Sequence, residues 1–465
     1  MCSAWRRANG WARAVGSGSA GALLLILASG APARAQVSST AQLIQRVGPP
    51  LAPPWNAQQI FEPLVYPQLW DIERRWELAP EDTPVITRVH PGYEPVGVRA
   101  GSWMFFPAVA AGGLYDSNVF ASNFIREGDV AGIVAPTVRG QTLWGKHYVD
   151  FDAGVRSLAY RDHPGLDQTD ASFRGRARID VASDAAILAR AQAAYLHERP
   201  GSLSSPTGAV EPTPYSLFSG DLTYRKEFGR LTTSFGGIVN SYNYGSTRAF
   251  DGSIINQNSR DGQVYAAHGR LDYAISPKLG IFTAVDGNRR ELRGTPAQSL
   301  SSSGYRALAG VDVELTRLIS GEIGLGYTSQ AFDAVQIGTI AGPAYRAMLI
   351  WSPTRLMDVY FKAEQLVTQS SETQAFGIRA YAFQLGLDYE IRRNVVFSLS
   401  GSYENDKFFG AVRDDDVYAS YSELKYLLNR HFDVSLRHRY LTRSSSDPTA
   451  SYSKHEVGLN VTARF

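Results

Sequence analysis

The chain has 465 residues, with 46 Lys and Arg against 44 Asp and Glu, a formal net charge of +2. This near-neutral balance leaves no electrostatic footprint for nucleic acid. The single cysteine, Cys2, excludes disulfide staples and thiolate metal sites. With 24 Tyr, 21 Phe and 43 Gly against 4 Met, and no long stretch of helical apolar period, the composition is that of a β-rich protein.

The first residues read as a secretory signal peptide. A basic start (Arg6, Arg7, Arg13) precedes an apolar run over residues 20–28 and the small-residue site Ala33-Arg34-Ala35, so cleavage is expected after Ala35. The run is about half of the roughly 20 apolar residues that span a bilayer, which argues against a membrane helix. Cys2 lies inside this segment and is not placed as a lipoprotein cysteine. Cleavage removes Arg6, Arg7, Arg13 and Arg34 and no acid, leaving a formal charge of −2.

Residues 36–101 form the next region. Pro49, Pro50, Pro53, Pro54, Pro63, Pro67, Pro80, Pro84, Pro91 and Pro95 fall within it, and proline cannot sit inside a regular ladder because it lacks the N–H. The region is expected to be an irregular periplasmic extension, with short helices over residues 41–47 and 68–78.

From residue 102 to 465, strand-like segments recur and their connections alternate between short and long. Short connections are expected at Trp144-Gly-Lys, Ser183-Asp-Ala, Phe228-Gly-Arg, Ser276-Pro-Lys, Arg317-Leu-Ile, Ser352-Pro-Thr, Arg392-Arg-Asn and Asn429-Arg. Long ones are expected near residues 116–129, 162–169, 200–214, 245–260, 293–302, 332–342, 368–374, 407–414 and 444–451. Eight turns and nine loops join eighteen strands, the rhythm of an outer-membrane antiparallel β-barrel with short periplasmic turns and longer extracellular loops. A sheet exposed to lipid must close on itself to satisfy its backbone. A propeller would show a blade period of roughly 40 to 50 residues, and no such repeat is present.

Within segments the side chains separate by face. Over residues 173–181 the odd positions are apolar or Gly, while Arg174, Arg176, Arg178 and Asp180 alternate with them. Over residues 305–315, Tyr305, Ala307, Ala309, Val311, Val313 and Leu315 oppose Arg306, Asp312 and Glu314. Residues 263–273 and 417–427 have mixed faces and an open register. Aromatics fall near strand ends, as interfacial girdles require: Trp144, Phe228, Tyr273, Trp351, Tyr389, Phe432 and Phe465 at the periplasmic rim, and Tyr115, Tyr160, Tyr195, Tyr242, Tyr327, Tyr403 and Tyr440 at the outer one.

About eighteen strands enclose a lumen too wide for side chains alone to fill. The polar faces place Asp150, Asp152, Arg156, Arg174, Arg176, Arg178, Arg190, Arg225, Arg270, Arg306, Asp312, Glu314, Lys362, Glu364, Arg437 and Arg439 on its wall. Two roles are open to them. Cross-strand ion pairs would hold the wall rigid, and arginine stripes facing acids would make a transverse field that selects polar or anionic solutes.

Catalytic chemistry is not indicated. Of the eight histidines only His163, His197 and His455 fall toward the outer mouth, and no Ser, His and acid set assembles by spacing. Asp116-Ser117-Asn118 has the spacing of calcium oxygen ligands, but one short segment supplies too few of them, and Asp and Asn also build turns on their own backbone. No cofactor and no metal are expected.

The last strand separates Val457, Leu459, Val461, Ala463 and Phe465 from Glu456, Gly458, Asn460, Thr462 and Arg464. A closing strand with terminal Phe465 is similar to the signal that the barrel-assembly machinery reads on bacterial outer-membrane proteins. Near the first strand, the run from Pro95 to Pro107 followed by Gly113-Leu-Tyr-Asp-Ser-Asn-Val-Phe120 resembles the putative beta-barrel porin 2 family, with Tyr115, Asp116, Asn118 and Phe120 fitting its motif. The resemblance implies a large barrel of about eighteen strands with no catalytic residues. It also implies, for some members, a part in secreting surface polysaccharide beside a periplasmic export protein. The expected function is an outer-membrane channel in contact with lipid, either a conduit for exopolysaccharide, whose rings would slide on aromatics such as Tyr360 and Phe282, or a general diffusion porin for small polar solutes. A barrel enzyme or adhesion barrel is a further alternative. At the seam of such a barrel, Asp116 to Asn118 would open the first loop beside residues 451–456.

Overall fold

The computed structural model describes Val85, Arg88 and residues 90–465 apart from 203–204, 294–299, 317–318, 335–337 and 373–374. The signal segment and the helices expected over 41–47 and 68–78 lie outside the described residues. Alternating sequence becomes a ring of long strands: β1 (Trp103–Asp116), β2 (Asp129–Thr142), β3 (Tyr148–Tyr160), β4 (Gln168–Ala182), β5 (Ala185–Glu198) and β6 (Thr213–Phe228). The ring continues with β7 (Leu231–Tyr244), β8 (Gly262–Ser276), β9 (Leu279–Leu292), β10 (Ser302–Thr316), β11 (Ile319–Phe332) and β12 (Thr339–Thr354). It is completed by β13 (Met357–Thr368), β14 (Gly377–Arg392), β15 (Val395–Phe409), β16 (Asp414–Leu427), β17 (Phe432–Ser445) and β18 (Tyr452–Arg464).

Each strand pairs antiparallel with the next, and β18 returns to β1 from Ala108↔Arg464 to Asp116↔Glu456, so the sheet is a closed antiparallel barrel of eighteen strands. Closure leaves one edge to manage. Because β18 reaches β1 only from Ala108 upward, the lower end of β1 would present unpaired backbone groups. A short lead-in strand, Val98–Ala100, folds back and pairs with it, Val98 opposite Phe105 and Ala100 opposite Trp103. Gly101 makes this turn at φ +60°, in the left-handed region that favours glycine.

Side-chain parity separates the two faces. Val134, Phe173, Leu222, Phe235, Val285, Leu325, Leu385 and Leu459 stand exposed on the outside, while Asp150, Gln192, Thr223 and Asp433 are fully buried on the inside. The cohesion of such a wall comes from backbone ladders closed around the ring rather than from a hydrophobic centre. The mixed segments resolve the same way. On β8, His268 and Arg270 turn in and Leu271 and Tyr273 out; on β16, Lys425 turns in and Tyr418, Leu424 and Tyr426 out.

Three details depart from the sequence expectation. Tyr160 is buried, because it shares parity with Asp150 on β3 and so faces inward, and Tyr242 stacks on buried Tyr244 on the inner face of β7. Neither belongs to the outer aromatic ring, whereas Tyr115, Tyr195 and Tyr327 stand exposed on the outside. The turn expected at Ser352-Pro-Thr falls at 355–356 instead. The register jumps between Trp351 and Thr354, so Pro353 occupies a bulge where its missing N–H breaks no ladder bond.

Candidate functional site: the lumen wall and its outer mouth

The sixteen charged residues read as wall candidates all fall on inward-facing positions of their strands. The structure gathers most of them into ion pairs across strands. Asp150 of β3 receives Arg176 of β4 on one side and Arg139 of β2 on the other, the latter at 3.3 Å, and Tyr148 donates to the same carboxylate at 3.2 Å. Arg139 also lies 4.0 Å from Asp152. Arg156 reaches Asp170 at 2.6 Å, Arg178 reaches Asp180 at 2.9 Å, Arg190 reaches Asp221 at 3.3 Å, and Arg225 reaches Glu227 at 3.4 Å.

Further round the ring, Arg270 stacks 4.0 Å over the Phe282 ring and bonds Asp272 at 2.6 Å, Asp312 at 3.1 Å and Glu322 at 3.1 Å. Arg306 joins Asp286 at 3.4 Å and Glu364 of β13 at 3.0 Å. Arg437 meets Glu423 at 3.1 Å and Arg439 meets Glu456 at 3.6 Å. Arg174 sits between these groups on the inner face of β4, Glu314 near the short-turn end of β10, and Lys362 5.8 Å over the Tyr360 ring. Fixed pairs of this kind keep long side chains against the wall instead of across the opening.

The charges are not evenly spread around the ring. The inner face of β13 to β16 carries Asp358, Glu364, Asp388, Glu390, Glu404, Asp406, Asp415 and Glu423 against Lys362 and Lys425. The arginines Arg139, Arg156, Arg174, Arg176, Arg178, Arg190 and Arg225 stand on β2 to β6. In an eighteen-strand ring β4 and β13 are diametrically opposed, so a solute in the lumen has a net-acidic wall on one side and, on the other, a charge-balanced one whose arginines are matched by Asp129, Asp150, Asp152, Asp170, Asp180, Glu198, Asp221 and Glu227.

Both aromatics suggested as sliding surfaces face inward, but they lie flat. A Cβ on Gly386 would fall 2.1 Å from the Tyr360 ring, and one on Gly310 would fall 2.7 Å from the Phe282 ring. The rings occupy the space the glycines leave. Phe282 is itself buried beneath Arg270.

The outer mouth is crossed by its own loops, which periodicity does not reveal. The loop between β5 and β6 carries Thr207, whose N and Oγ1 donate to Glu372 Oε1 at 3.0 and 2.6 Å; Glu372 belongs to the loop between β13 and β14. Arg413, between β15 and β16, donates to the same oxygen at 2.8 Å and to Thr207 Oγ1 at 2.9 Å. Strands β5 and β14 are nine apart in a ring of eighteen, so this junction spans the diameter. The same loop passes beside β18 at Gly201, where φ is +77° and a Cβ would strike Ala121 at 2.1 Å. There the Gly201 carbonyl accepts from Arg443 at 3.2 Å and from the Tyr452 hydroxyl. Gln257, between β7 and β8, donates to the Ser371 carbonyl at 3.2 Å.

At the seam, Asp116 closes a turn by accepting from Asn118 N at 3.0 Å, and its other oxygen takes Lys454 at 2.8 Å. Asn118 donates to the Ser453 carbonyl at 3.1 Å, and Ser117 exchanges bonds with His455. The oxygens that had calcium spacing are thus spent on the turn and the clasp. Beside it, His163 bridges Asp129 at 2.9 Å and Glu127 at 2.7 Å, and the hydrogen bond to Glu127, with that to Asp129, raises its pKa above the ordinary histidine value. At the periplasmic end, described residues before β1 lie against the inner wall at β13, β14 and β18. Val85 donates to Asp358, Arg88 and His90 approach Glu390 at 3.7 and 3.9 Å, and Arg464 donates to the Tyr93 carbonyl at 3.4 Å.

The sequence profile of the putative beta-barrel porin 2 family matches residues 90–465. The chain belongs to that family. The porin is therefore a channel protein of the bacterial outer membrane rather than an enzyme. Among solved structures it is similar to Pseudomonas aeruginosa OpdL, at 15% identity over 79% of this chain and 99% of that one, with a TM-score of 0.43. It is also similar to P. aeruginosa OccK2 (OpdF), at 13% identity over 78% and 97% with a TM-score of 0.44. A BenF-like porin from Pseudomonas fluorescens Pf-5 matches at 10% identity over 78% and 99%, with a TM-score of 0.43. Likeness at this level does not bear on what the porin carries. A search of curated proteins found no match.

Proposed function

We propose that this porin is a diffusion channel for small polar solutes, with the unequal charge of its two walls orienting what passes. The observation that carries the reading is the inner face itself: arginines paired to carboxylates in fixed positions on β2 to β6, opposite the acid-rich face of β13 to β16. Preorganised charges on opposite walls act on a dipolar solute without first having to reorganise. The polysaccharide-conduit reading has no comparable support. A growing polymer needs a continuous axis, and the Thr207, Glu372 and Arg413 junction lies across it at the outer mouth.

Reconstitution tests the proposal. The full-length porin in liposomes is expected to admit small zwitterions and sugars at rates falling steeply with size, and to give steady conductance in planar bilayers. Liposomes that exclude solutes as small as glycerol, with silent bilayers, would overturn it. Loss of surface polysaccharide in a strain lacking the protein would restore the conduit reading.

A further inference from the structure

We propose that His438 and His455 form a chelating pair for a zinc-class divalent cation on the outside of the barrel. The ladder places them as diagonal neighbours: Tyr440 lies opposite His455 and His438 opposite Val457, so both histidines share the outward face of the β17–β18 hairpin. Diagonal cross-strand side chains of this length can meet. Here His438 Nε2 and His455 Nδ1 are 3.2 Å apart, with the rings 5.5 Å apart at their centroids and only 24° from parallel.

That spacing is what a chelate requires. With metal–nitrogen bonds of 2.0 to 2.1 Å and a tetrahedral angle, two ligand nitrogens on one ion stand about 3.3 Å apart. Without a cation, one ring donates its N–H to the other; on binding, the donor ring carries that proton on its other ring nitrogen instead, so both facing nitrogens present lone pairs and both rings stay neutral. Imidazole nitrogens suit zinc and copper, whereas calcium and magnesium seek oxygen.

The surroundings hold the pair in place. The His455 backbone N–H donates to Ser117 Oγ at 2.8 Å, and the Tyr440 ring lies 4.7 Å from the His455 ring. Around them Leu436, Val457 and Leu459 face outward and exposed, so the two imidazoles are a polar island in an apolar face. His455 lies three residues from the hairpin's last pair, Arg443↔Tyr452, or about 10 Å along the strand. His438 lies five residues from that pair, in the middle of β17, so the island reaches from near the outer end of β18 down into the outer half of the wall.

The untagged full-length porin in detergent is titrated with zinc chloride by calorimetry at pH 7.5. One ion per chain is expected, with at least tenfold weaker binding in H438Q and in H455Q, no change in H147Q, and no heat from magnesium chloride. Persistence of the same binding in H438Q and H455Q, or no binding by the native chain at millimolar zinc, would overturn the proposal. Copper(II) paramagnetic resonance on the unaltered protein gives an answer that does not depend on folding of the variants. Two equivalent imidazole nitrogens are expected, and a spectrum with one nitrogen or oxygen ligands alone would refute the chelate.

Discussion

Replacing Glu372 with Ala tests whether the junction across the outer mouth narrows the channel. The change removes one oxygen that accepts from Thr207 N, Thr207 Oγ1 and Arg413 Nη1. Bonds to a charged acceptor contribute about 1.5 to 3 kcal/mol each, but the Glu372 side chain is 23% exposed, so solvent reduces this to about 1 kcal/mol apiece. Losing all three costs about 3 kcal/mol, a shift of roughly 100-fold toward release of the Glu372 loop, with the bond from Arg413 to Thr207 alone left across the mouth. Arg413 keeps its bond to Asp415 and its place over the Phe408 ring, so the barrel should remain intact. In planar bilayers E372A is expected to spend far more time in its highest conductance level. The double variant T207C/E372C, once oxidised, should be held in the lowest level and released by reductant. If E372A has the native distribution of levels and the crosslink leaves conductance unchanged, the junction does not limit passage and the reasoning fails.

Three further outcomes follow from the geometry. At the seam Lys454 is buried between Asp116 and Glu456, so Lys454→Met leaves two carboxylates with less compensation and should cost about 3 kcal/mol, lowering the temperature at which the folded band disappears on a semi-native gel; Arg439→Met, at a half-exposed side chain, should lower it far less. Gly386→Ala pushes the Tyr360 ring off the wall and should reduce single-channel conductance, which Y360A in the same chain should restore; unchanged conductance in G386A would mean that the ring does not reach the path. The bridge from His163 to Glu127 and Asp129 has a folded pKa raised above 6.5, so its contribution is complete below that value and is lost as pH rises through the raised one. Hydrogen exchange in residues 161–167, corrected for intrinsic rate, should accelerate between pH 7 and pH 9 in the native chain and not in H163Q.

The strand ring and the inward stripe were legible because both are local. A period of two puts Arg174, Arg176 and Arg178 on one side whatever their partners are, and barrel logic decides which side is wet. Arg139 was legible by the same rule, since Thr137, Arg139 and Gln141 alternate with Pro136, Val138 and Gly140; only the upper half of its strand, with Ala131, Ile133 and Ala135 on that face, lacks a polar stripe. The same rule, applied consistently along β3, would have sent Tyr160 inward with Asp150. Position near a strand end suggested a girdle, and parity decides otherwise. Thr207, Glu372 and Arg413 could not be joined from the sequence, since loops carry no period and their meeting depends on closure of the whole ring. Ser352-Pro353 shows the limit of turn chemistry, because proline is tolerated equally in a bulge two residues before the turn.

The lead-in strand also decides how the ring would come apart under load. Val98 and Phe465 emerge at the same end of adjoining strands, so a pull between them does not shear long ladders at once. It peels Val98–Ala100 from β1 and then parts Ala108 from Arg464, one pair at a time toward Asp116. The force should stay low through this unzipping and rise where Lys454 holds Asp116, making a salt bridge near the outer rim the mechanical latch of the barrel.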